Sequence, residues 1–92
     1  MTKTRARAPR QRTLGLEATQ ARAVMTEAYD VYATACRIAT ANHNAWRRLR
    51  RLHGDADPRV KGALTKATKA ALYRADAKAK YRQAKQLARA AR

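Results

Sequence analysis

Leu52-His53-Gly54-Asp55-Ala56-Asp57-Pro58 reads as a stop signal followed at once by a start signal. Gly54 can take the left-handed conformation that closes a helix at its C′ position. Asp57 can accept hydrogen bonds from the free N–H groups of a new helix. Pro58 suits the first helical position, where a missing N–H costs nothing. Two long alanine-rich segments flank this stretch, and only about four residues separate them, so they must fold back antiparallel. The expected fold is all-α: an antiparallel two-helix hairpin with helices at about 14–53 and 58–90. It is expected to associate into a four-helix bundle or a larger helical assembly.

Outward from the turn, the apolar period is that of a helix. In the first segment Val24, Val31, Ile38, Ala45 and Leu52 recur every seven residues. Ala21, Ala28, Ala35, Asn42 and Leu49 fill the alternate seam positions, and Met25, Tyr32, Ala39 and Trp46 flank them. The stripe is three positions wide, more than a two-stranded zipper needs, which suggests packing against more than one helix. Asn42 is the polar member of this seam, either fixing register or bonding water at its edge. In the second segment the seam is Val60, Ala63, Ala67, Ala70, Arg74, Ala77, Tyr81, Ala84, Ala88 and Ala91, at alternating spacings of 3 and 4. Folding at residues 55–56 pairs Trp46 with Leu64, Ile38 with Tyr73, Val31 with Tyr81, and Val24 with Leu87. Large residues then meet large ones along the length.

Residues 1–13 are set apart as a basic, flexible N-terminal arm, with 14–92 as the helical hairpin. The arm carries Lys3, Arg5, Arg7, Arg10 and Arg12, holds no acid, and is interrupted by Pro9. Its lack of an apolar period suits a segment that orders on binding, and such an arm can follow a phosphate backbone or enter a minor groove.

Charge is the strongest compositional signal. The 92 residues carry 22 Lys and Arg against 6 Asp and Glu, for a formal net charge of +16. Such an excess repels itself in any compact state unless a polyanion offsets it, and it exceeds the roughly 2–8 units common for small domains. From Arg59 onward, eleven cations face one acid, Asp76, while Glu17, Glu27 and Asp30 outweigh Arg22 early in the first helix. The antiparallel fold gathers the cations into two poles. At the turn, Arg47, Arg48, Arg50 and Arg51 meet Arg59 and Lys61. At the open end, Arg82, Lys85, Arg89 and Arg92 meet the arm, and Lys78 joins Arg82, Lys85 and Arg89 as the phosphate candidates of the second helix. One or two of the four clustered arginines would satisfy the helix dipole, so the surplus points to phosphate.

No catalytic constellation appears. Serine is absent and no phosphate-cradling glycine run exists. His43 and His53 lack carboxylates at ligand spacing, and the scattered acids form no pair for acid–base work, so no enzyme activity, cofactor or metal is expected. His53 is read as a helix-end residue and Cys36 as a small buried hydrophobe. Cys36 is the single cysteine, so no internal disulfide forms. Trp46 falls on the stripe and is read as packing there; Tyr29 lies off it, packing at a bundle edge or stacking on a base. No apolar run reaches the roughly 18 residues of a membrane span, and the N-terminus lacks the apolar core of a secretory signal.

The sequence therefore points to a non-enzymatic protein that binds RNA or DNA through phosphate contacts without reading bases. It would act as a homo-oligomer or as a subunit of a nucleoprotein complex, in the cytoplasm or within such a particle. Two other readings follow from the same features. One is a protein–protein module whose apolar stripe docks on a partner with an acidic surface. The other is an amphipathic helix lying on anionic lipid.

Overall fold

The computed structural model describes the backbone of residues 2–91 and the side chains of residues 17–91. It contains two helices, α1 (Thr2–His53) and α2 (Pro58–Ala90), packed against each other as an all-α hairpin. The Cα atoms span 77 × 13 × 12 Å. At about 1.5 Å per residue α1 alone accounts for that length, and α2 covers roughly 50 Å of it from the turn. Helix α1 outruns α2 at the open end. Its range includes residues 2–13, which the sequence marks as a basic arm. The side chains there, those of Lys3, Arg5, Arg7, Arg10 and Arg12 among them, lie outside the described residues.

The turn is built as its residues dictate. Gly54 has φ 78°, the left-handed region that a side chain resists. Its N–H donates to the Arg50 carbonyl at 2.9 Å, satisfying one of the last acceptors of α1. The Asp57 carboxylate accepts the Arg59 N–H at 2.8 Å, and Pro58 opens α2.

Along the shaft, α2 buries the face its alternating pattern specifies. Val60, Ala67, Ala70, Ala77, Ala84 and Ala88 are buried, and Ala63, Tyr81 and Ala91 are half-buried on the same line. Arg74 occupies a seam position yet remains exposed.

Helix α1 departs from the expected centring. Its inward face is Ala18, Ala21, Met25, Ala28, Tyr32, Ala35, Ala39, Asn42, Trp46 and Leu49, again at alternating steps of 3 and 4. Ala35 is fully buried and Ala39 nearly so. The most apolar line instead faces outward: Val24 is 54% exposed, Ile38 43% and Leu52 68%. The reason is steric. Opposite an alanine face, two backbones approach closely only where small residues lie between them, so fit outranks hydrophobicity in choosing the seam. Among the described residues no large side chain is fully buried.

Two interruptions of the alanine seam are filled by particular contacts. Tyr81 meets Tyr29 edge-on at 5.4 Å and stacks on Tyr32 at 6.0 Å between ring centroids. The rings of Tyr29 and Tyr32 thus flank Tyr81, which the sequence pairs with Val31. Val31 lines a groove with Val24 and Leu87, the last two having been expected to meet. Asn42 is half-buried, and its amide donates to the Ile38 carbonyl of its own helix at 2.9 Å. Cys36 is half-buried beside Tyr32. A hydrogen bond with Cys36, followed by charge repulsion from its thiolate and by burial, raises the Tyr32 phenol above its ordinary pKa.

Candidate nucleic-acid interface

The turn brings its six cations together but binds two of them into itself. Arg59 grips Asp57 through two parallel contacts, Nη2 to Oδ2 at 3.0 Å and Nε to Oδ1 at 3.1 Å. The same Nη2 lies 3.1 Å from Nδ1 of His53. A guanidinium has only donors, so this ring nitrogen is the acceptor. Hydrogen bonds from the Arg59 side chain and then its backbone N–H hold the Asp57 carboxyl down at about 2. Arg50 pairs with Asp55 at 2.7 Å and lies 5.4 Å from the centre of the Trp46 ring. Trp46 is half-buried on the seam, with His43 tilted against it at 5.5 Å.

Arg47, Arg48, Arg51 and Lys61 are exposed and make no ion pair with a described acid. They form an unneutralised fringe around a turn whose own charges are matched.

Of the cations expected at the open end, Lys85 and Arg89 line a groove floored by Met25, Tyr81 and Ala88. The Lys85 ammonium lies 5.5 Å from the centre of the Tyr81 ring. Lys78 and Arg82 are exposed elsewhere on α2. The groove also takes Arg22, which the charge pattern of α1 alone did not single out. The fold about residues 55–56 was the signal, since it sets Arg22 opposite Arg89. Further along, Arg74 and His43 line a second groove with Thr40 and Ala71.

Arg22 and Val24 lie about 200° apart around α1. The groove of Arg22, Lys85 and Arg89 and the groove of Val24, Val31 and Leu87 therefore occupy opposite sides of the seam. The first groove is cationic, with small and aromatic residues beneath. The other carries an apolar ridge edged by Glu27 and Lys80.

No protein-family model matches this chain, and no curated protein or solved structure matches it. Among the described residues no helix is long and apolar enough to cross a membrane.

Proposed function

We propose that this chain is a non-enzymatic, cytoplasmic nucleic-acid-binding protein. It contacts the phosphate backbone without reading bases and acts as an oligomer built on a four-helix bundle or within a larger nucleoprotein complex. The observation carrying this reading is the excess of exposed cations over acids. The net charge is +16, and three of the six acids are engaged with Arg50, Arg59 and Lys80. Arg47, Arg48, Arg51 and Lys61 at the turn would clamp phosphates at one pole. Arg22, Lys85 and Arg89 would do so at the other, with the residue 3–12 cations beyond them. A rod 77 Å long runs beside about 22 base pairs at ~3.4 Å per pair.

Two paired cations change the expected hierarchy. Arg50 and Arg59 must break or share an ion pair to reach phosphate, so they contribute less than Arg47 and Arg51. Salt-titrated binding to single- and double-stranded RNA and DNA tests the reading. The logarithm of affinity should fall linearly with the logarithm of salt, by roughly 0.9 per phosphate contacted on duplex DNA. Replacing Arg47 or Arg51 by Ala should flatten that slope, and replacing Arg50 should flatten it less. Affinity independent of salt, or retention of a single acidic protein after nuclease treatment, would favour a protein–protein module instead.

A further inference from the structure

We infer that a second copy of this chain covers the Val24–Val31–Ile38 ridge, laid antiparallel, with the two-fold axis passing at Ile38. The two turns then lie at opposite ends of the assembly. This deepens the oligomeric part of the reading above and is independent of whether nucleic acid binds.

The hairpin needs a cover. Among the described residues its buried core is alanine and Val60, with no large side chain fully buried, and chains this small rarely stand on such a core. Its larger apolar groups are gathered outside the seam. Val24, Val31, Ile38 and Leu52 lie on one heptad line, with Leu87 in the same groove. The line from Val24 to Leu52 is about 42 Å long, and two helices side by side are roughly 20 Å wide. A matching face would bury on the order of 800 Å² per copy, the usual size for a stable pair.

Charge selects the orientation. Glu27 edges the ridge near the open end, and Arg48 lies on the same helical line three heptads later, near the turn. Ile38 falls midway between them. Turning a second copy about Ile38 sets Glu27 against Arg48 of that copy, twice. On α2, Lys69 and Asp76 bracket Tyr73 in the same manner, and the fold about residues 55–56 sets Tyr73 beside Ile38. The same rotation sets Lys80 against Lys66 of the copy, with Asp76, the ion-pair partner of Lys80 at 3.1 Å, beside it, so four opposite-charge contacts stand against two like-charge ones. A parallel copy would instead crowd both sets of Arg47, Arg48, Arg51 and Lys61 together, a costly like-charge contact.

The test uses the full-length chain, nuclease-treated, with Cys36→Ala removing the native thiol. Ile38→Cys should link to itself through a short bis-maleimide, giving a two-chain species. Val24→Cys and Leu52→Cys should link efficiently only when mixed. By sedimentation equilibrium, Glu27→Arg or Arg48→Glu should each weaken self-association roughly tenfold, and the double variant should restore it. These surface changes spare the seam, so they report on the pair and not on folding. Rising salt should tighten the pair, because it screens two copies of like net charge, whereas it loosens any phosphate complex. A single-chain mass at all concentrations, efficient self-linking of Val24→Cys, or no rescue by the double variant would overturn the assignment. Loss of nucleic-acid binding alone would leave it standing.

Discussion

At the turn, Gly54, Asp57 and Arg59 close the chain through directed bonds. Along the shaft, alanines close it by letting two backbones come near. The turn depends on specific atoms: a left-handed φ of 78°, a carboxylate on a backbone N–H, a guanidinium on that carboxylate. The shaft depends on volume, and a larger group at its most tightly packed alanines, Ala35 or Ala77, forces the helices apart. The first kind of holding localises charge and matches it. The second leaves the bulky apolar groups outside, available to another surface.

The sharpest way to break the shaft is to add volume where it has none. Ala77 is 2% exposed, and Ala77→Leu should destabilise the hairpin by about 1–3 kcal/mol through overpacking, read by urea unfolding at fixed protein concentration. The turn should yield less to its worst substitution. A Cβ added at Gly54 meets nothing within 4 Å, so the cost is backbone strain alone. Gly54→Val should therefore lose about 1–2 kcal/mol in the same assay.

A third comparison concerns pH. The Asp57 carboxyl sits at about 2 when folded, against an ordinary 3.8. Its contribution is full above about pH 4 and is lost as pH falls towards 2, because protonation then occurs more readily in the unfolded chain. Asp57→Asn keeps an N-cap acceptor yet should abolish that part of the acid slope, giving a thermal midpoint that is flatter across this window. The smallest effect belongs to an apolar residue outside the seam. Leu72 is 66% exposed on α2, and Leu72→Ala should change stability by less than about 0.5 kcal/mol.

What the sequence disclosed follows the same division. The turn was legible residue by residue, because a left-handed glycine, a capping aspartate and a proline at the first helical position each have one physical use. The α2 seam was legible too, since its alternating alanines leave no competing line. Helix α1 offered three adjacent heptad lines. Hydrophobicity favours Val24, Val31 and Ile38, whereas close approach to α2 favours Ala28, Ala35 and Ala39. Size complementarity is a property of two helices together, and a single helix read alone does not express it. The ion pairs of Arg50 and Arg59 were hidden for a related reason. Both depend on where Asp55 and Asp57 point once the chain has turned. Arg22 entered the open-end groove only through the pairing that the turn imposes.

The alanine seam carries one more implication. Its teeth look alike every seven residues, so sliding one helix along the other by a heptad presents nearly the same teeth again. What breaks this sameness is the tyrosine trio at 29, 32 and 81, together with a turn too short to take up slack. Sever the chain between Gly54 and Asp57, and the two halves keep their grip but lose their most stringent ruler. In that state the molecule would behave as a ratchet, with the three rings as its pawl.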